Sequence, residues 1–185
     1  MALTCEAEPP TDDVTYIWIK NGHKVANLTT SKWTIEEASL DTRSFISCIT
    51  ETKKGAISQA DMFVNVVAFP SFIMSLKPHY GFSYTNTNIS LTCIIECYPP
   101  CNIVWYEEDA KIDTDNPLYN IKEEIVPADD QRNNFESFKS TLVWNLKNWP
   151  NQCLNKTSSP SHYTCKSESF FRNVNSTTYF EVECE

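Results

Sequence analysis

A pair of cysteines with a tryptophan between them occurs twice in this chain, and that pattern constrains its fold more than any other feature. Cys5 is followed thirteen residues on by Trp18 and then by Cys48; Cys93 is followed twelve residues on by Trp105 and then by Cys165. A pattern repeated once in 185 residues divides the chain in two, and that length suits either one large domain or two of about 90 residues. The cysteine total is eight, an even number, and four Asn-x-Ser/Thr sequons stand at Asn27, Asn88, Asn155 and Asn175. Together these favour an oxidising, extracellular or cell-surface compartment, with the four asparagines as candidate glycosylation sites. Zinc ligation is the competing use of cysteine. It usually asks for paired short spacings, and the one short spacing here is Cys97-Tyr-Pro-Pro-Cys101.

Strand signals fill the stretches around each triplet. Runs of β-branched and aromatic residues occur at Thr15–Ile19, Phe45–Thr50, Met62–Val67, Ile89–Ile95, Ile103–Tyr106, Ser140–Trp144 and Tyr179–Val182. Turn signals separate them at Pro9-Pro10, Asn21-Gly22, Lys54-Gly55, Pro99-Pro100 and Asn116-Pro117. No stretch sustains a 3.6-residue apolar period. The expectation is an all-β chain of short strands stacked as β-sandwiches.

On the two Cys-Trp-Cys triplets, and on Tyr163-Thr164-Cys165 in the second, the chain resembles the immunoglobulin superfamily over nearly its whole length. The resemblance implies two tandem immunoglobulin-like sandwiches, at 1–68 and 69–185. It also implies core disulfides Cys5–Cys48 and Cys93–Cys165, each with a strand-C tryptophan packed on it. The first copy has Ile46 where a corner tyrosine would stand, and little chain before Cys5 to form a first strand. It is similar to the short C2 type. The second, with 72 positions between its cysteines, is similar to a V-like or extended domain, and the acidic stretch from Asp113 to Asn134 reads as its insertion. Few flexible residues mark the junction near Ala68-Phe69-Pro70-Ser71, so a short, stiff connection is expected. Met1-Ala-Leu-Thr-Cys reads as an opening inside a strand, with any targeting or anchoring segment outside this sequence.

Four cysteines remain in the second domain. In a sandwich of this topology Cys97 and Cys101 flank the B–C turn at one end, whereas Cys153 and Cys184 fall at the other. A disulfide needs Cα atoms roughly 4.4–6.8 Å apart. The pairs expected are Cys97–Cys101 and Cys153–Cys184. The first would either rigidify a loop or shape a recognition tip.

Little suggests catalysis. Three scattered glycines exclude a phosphate-cradling or dinucleotide loop, and His23, His79 and His162 are far apart, with no nucleophile elbow or metal-binding His-Glu-x-x-His. A net charge of −9 argues against a nucleic-acid-binding body. The reading is a non-enzyme without metal or cofactor, whose work is recognition of protein, with membrane attachment only through a segment absent from this sequence.

The partner surface follows from strand phase. Side chains alternate, so with Trp18 and Cys48 inward, Ile17, Ile19, Ile49 and Phe63 face outward on the G-F-C sheet of the first domain. Four large apolar side chains on a face that should be wet mark an interface. Phe170-Phe171-Arg172 at the second domain's F–G tip is a further candidate contact, an aromatic-plus-arginine set of hot-spot type. The expected function is adhesion, with a second copy or another immunoglobulin-family protein as partner. The alternatives are a receptor or decoy holding a soluble protein ligand at the interdomain elbow, and a spacer without a site.

Overall fold

The computed structural model describes residues 1–8, 13–83, 89–149 and 162–183. They form fifteen strands and two single turns of 3-10 helix, in two units spanning Met1–Val66 and Val67–Glu185. The division falls two residues before the one drawn from sequence, because the strand opening the second unit starts at Ala68.

In the first unit, β1 (Ala2–Thr4) and β4 (Lys32–Thr34) pair antiparallel as one sheet. The second sheet has the order β3 (His23–Lys24), β2 (Val14–Lys20), β5 (Ser44–Thr52), β6 (Ile57–Val64), antiparallel throughout. Local chemistry sets its register. Asn21 and Gly22 turn β2 into β3 with φ of 47° and 82°, both left-handed, which the sequence Asn-Gly tolerates best. Asn21 also donates its N–H to the Phe45 carbonyl, and its Oδ1 accepts the Phe45 N–H, so the turn is tied to the start of β5. At the other hairpin, Gly55 at φ 79° donates to the Thr52 carbonyl and lets Thr52 N–H reach the Ala56 carbonyl at 2.9 Å.

Between the sheets lie Leu3, Trp18, Ile46, Val64 and the Cys5–Cys48 bridge, whose Cα atoms are 6.3 Å apart. Trp18 meets the edge of Trp33 and donates its indole N–H to the Thr30 carbonyl at 2.9 Å. Ile46, in the position of a corner tyrosine, is buried.

The second unit begins with β7 (Ala68–Met74), β8 (His79–Ser83) and β9 (Ser90–Tyr98), followed by β10 (Asn102–Glu107) and β11 (Ala110–Lys111). Then come β12 (Tyr119–Val126), β13 (Ser137–Trp144), β14 (His162–Glu168) and β15 (Asn175–Glu183). One sheet runs β12-β13-β9-β7, the other β11-β10-β14-β15-β8. Strand β8 lies parallel to β15, from His79 opposite Tyr179 to Ser83 opposite Glu183. The core centres on Trp105 and the Cys93–Cys165 bridge, with Leu91, Ile95, Leu142 and Tyr163 fully enclosed. Burying each such side chain contributes about 1.5–3 kcal/mol.

The stretch from Asp113 to Asn134 is more than an acidic insertion. It contains β12, which pairs with β13 over eight positions. Lys122-Glu123-Glu124 hide the strand in the sequence, because β12 is an edge strand and its exposed side carries charge.

Candidate interaction surface

The outward side of the first unit's four-stranded sheet is built from alternate residues of β2, β5 and β6. Ile17 stands opposite Ile49, and Ile19 opposite Ser47. Ser47 is in turn opposite Asp61, Ile49 opposite Gln59, Phe45 opposite Phe63, and Glu51 opposite Ile57. The four side chains anticipated from strand phase, Ile17, Ile19, Ile49 and Phe63, therefore share one face. The three isoleucines are half-buried. Phe63 is 46% exposed and Phe45 66%, with ring centroids 4.8 Å apart. Offset aromatic contacts of this kind add about 0.5–1.5 kcal/mol beyond area burial. Here they hold two rings in place while leaving both open to solvent.

Phe45 and Ile57, which is 69% exposed, complete the patch and are absent from the sequence-based set. Phe45 is three residues before Cys48 and so in the outward phase; the alternation rule reaches it directly. Ile57 follows the Lys54-Gly55 turn, and the sequence reading starts its strand five residues later, at Met62.

Polar groups organise the middle of the face. Gln59 Nε2 donates to Asp61 Oδ1 at 2.8 Å. The Ser47 hydroxyl and the Gln59 amide, both donating to Asp61, hold its carboxyl below the ordinary value.

The other predicted contact residues lie in the second unit. Phe170 is 96% exposed at the β14–β15 turn, edge-on to Phe171 at 5.4 Å. Phe171 meets Phe69 at 5.6 Å, and the Arg172 guanidinium sits 5.7 Å over the Phe69 ring. Phe69, read in the sequence as part of the junction and not of this set, is the partner of both. The turn is fixed by Asn173 Oδ1 accepting the Ser169 N–H at 2.9 Å and Ser169 Oγ accepting the Phe171 N–H at 3.2 Å.

The second unit's corresponding sheet face is polar. Lys166 lies 5.7 Å over the Tyr106 ring, Thr164 hydrogen-bonds Thr177, and Asn175 stands exposed opposite Lys166. Val104, opposite Lys166, is buried. Behind this face Tyr163 Oη donates to Tyr119 Oη at 3.0 Å, which donates to Glu107 Oε1 at 2.8 Å. Glu107 is thus an acceptor at the end of a partly buried chain.

Cys97 and Cys101 are bridged across the β9–β10 turn, Cα atoms 6.0 Å apart, where the Tyr98–Pro99 peptide is cis. Asn27 is exposed between β3 and β4 with φ 61°. Asn88, Asn155, Cys153 and Cys184 lie outside the described residues.

The arrangement of both units decides the fold. The fold is that of two tandem immunoglobulin-like domains. Immunoglobulin domains 1–4 of Sidekick-1 superpose with a TM-score of 0.60 at 17% identity, over 100% of this chain and 44% of that one. The insect immune protein hemolin gives 0.66 at 12% identity, over 99% and 42%. The A168–169 segment of titin gives 0.62 at 13%, over 100% and 90%. The immunoglobulin-like pair here thus spans less than half the length of the Sidekick-1 and hemolin chains it matches. No family model and no curated protein matches the sequence.

Proposed function

We propose that this chain is an extracellular recognition module that binds another protein, itself of the immunoglobulin family, through the outer face of β2, β5 and β6. The observation that carries this is the Phe45–Phe63 pair, two aromatic rings packed on each other at 4.8 Å and left open to water on the same face as Ile17, Ile49 and Ile57. Ser47, Asp61 and Gln59 lie between the aromatic pair and Ile57, so the face offers apolar contacts interleaved with polar groups, a mixture common to protein interfaces. Hemolin, one of the structural neighbours, is described with implications for homophilic adhesion, which accords with this reading.

The exposed Phe170-Phe171-Arg172 turn of the second domain is a secondary contact in this scheme.

The test is a screen of the glycosylated, oxidised chain against itself and a panel of immunoglobulin-domain ectodomains, with Ile17→Asp and Phe45→Asp as variants. Loss of the captured partner in both variants, with unchanged circular dichroism, is the expected result. Capture of a soluble non-immunoglobulin ligand, or a partner that both variants retain, would overturn the proposal.

A further inference from the structure

The inner face of edge strand β12 runs out of core. Its odd-numbered residues share the phase of Tyr119, which is buried, yet along the strand Ile121 is half-buried, Glu123 exposed and Ile125 64% exposed. The opposite sheet ends in β11, which has two residues, so little stands across from this end of β12. A cleft of about 340 Å³ opens there, between Ile103 of β10 and Ile125 and Phe138 of the facing sheet. A second, of about 580 Å³, continues it toward Ile112 and Ile121, and Ile103 and Glu123 line both. The two form one groove along the side of the second domain.

Charge in the groove is unbalanced. Lys139 pairs with Glu124 at 2.8 Å and Lys111 with Glu168 at 3.9 Å. Asp113, Asp115 and Glu123 also line it, and they have no ion-pair partner among the described residues. They do not converge as a set of metal ligands. The complement they fit is a cationic side chain.

The backbone along the same edge is unpaired. Asn145 donates its N–H to the Leu118 carbonyl, and the register with β13 continues from there, so residues 118, 120, 122 and 124 bond to β13. The N–H and C=O groups of Ile121, Glu123 and Ile125 point the other way, where no strand lies among the described residues. The chain is described without a break from β9 through β13, so the edge has known structure on both sides of it in sequence.

A carboxylate at an inward-phase position of an edge strand deters indiscriminate pairing. The same carboxylate selects what can pair. A strand laid along β12 sets one residue opposite Ile121, one opposite Glu123 and one opposite Ile125, with all three side chains turned into the groove. The favoured set is apolar, cationic, apolar. The two residues between them face outward, opposite Lys122 and Glu124, where neutral polar side chains suit both signs of charge.

We propose that the second domain binds an extended basic segment of another protein by strand addition to β12. The segment has the pattern apolar-x-Lys/Arg-x-apolar, with its cation on Glu123 and its apolar side chains against Ile103, Ile121 and Ile125. The site shares no residue with the recognition face proposed for the first domain.

The test uses the full chain, glycosylated and oxidised, and the fluorophore-tagged peptide acetyl-Ser-Val-Thr-Arg-Thr-Val-Ser-amide, titrated by fluorescence anisotropy. Saturable binding with a Kd of about 100 µM or tighter is expected. The counterpart with Glu in place of Arg should bind about tenfold more weakly. Glu123→Lys changes an exposed side chain, so circular dichroism should be unchanged, and the preference between the two peptides should reverse. Ile125→Thr should weaken the Arg peptide on the order of fivefold. Bound peptide should slow amide exchange at Ile121, Glu123 and Ile125 and leave Lys122 and Glu124, already bonded to β13, as they were. Ile17→Asp and Phe45→Asp should bind the peptide as the native chain does, which separates failure of this proposal from failure of the recognition reading. Four outcomes would each overturn it: no saturable binding up to about 1 mM peptide, Arg and Glu peptides binding alike, a preference unchanged by Glu123→Lys, or slowed exchange confined to other strands.

Discussion

Trp18 and Trp105 do the same job with different partners. Each is a large ring buried against a disulfide, and each must place one indole N–H where water cannot reach it. Trp18 gives it to the Thr30 carbonyl, a backbone acceptor; Trp105 gives it to Ser140 Oγ at 2.9 Å across the sandwich. The second arrangement is open to a single substitution. Ser140→Ala leaves a buried donor unpaired and should cost about 1–3 kcal/mol, read as a lower urea midpoint at unchanged m-value. The buried tyrosines give a second residue-scale prediction. Burial is the largest cause raising the hydroxyl pKa of both Tyr119 and Tyr163 above their ordinary value of 10.0, and for Tyr119 the neighbouring Tyr163 and Glu107 add to it. The folded state therefore keeps both protonated while the unfolded chain ionises them. Their contribution is complete below pH 10 and is lost as pH rises above it. Chemical unfolding between pH 9 and 11 should show a steeper loss for the native chain than for Tyr119→Phe, and absorbance at alkaline pH should show two tyrosines that titrate only on unfolding.

Elements show why some of this structure was legible in the sequence and some was not. The Cys-Trp-Cys triplets carry a long-range constraint, so they expose two sandwiches without any strand being read well. Strands β5 and β9 alternate cleanly because one side is core, and phase from Cys48 and Trp18 places Ile17, Ile19, Ile49 and Phe63 on one face. Strands of two or three residues, β1, β3 and β4, have too few positions to show a period; pairing across the fold creates them. Edge strand β12 is masked by its own surface charge, and β6 by exposure on both sides, which leaves Ser58, Gln59, Ala60 and Asp61 looking like loop. The candidate patch was incomplete for that reason at Ile57. Charge on β12 is also tolerable for that reason: Lys139 Nζ donates to Glu124 Oε2 at 2.8 Å on a wet face. Replacing Ile125, 64% exposed, by Thr should change stability by less than about 0.5 kcal/mol in a thermal melt, whereas replacing fully buried Leu142 by Ala should cost about 2–5 kcal/mol.

For the whole molecule, a formal charge of −9 opposes any approach of two copies. Exposed charges are screened over about 8 Å at physiological ionic strength and over roughly 30 Å at 0.01 M. Any self-association should therefore strengthen as salt is raised from low to physiological levels, the reverse of an interface built on opposite charges. Sedimentation at two ionic strengths distinguishes the two. The placement of β8 on β15 has a consequence for the second domain's sheet. The parallel neighbour covers part of the nine-residue β15 and, among the described residues, becomes the outermost strand itself, five residues long. In the language of crystal growth, a long step is exchanged for a short one, and fewer sites remain at which a further strand could add.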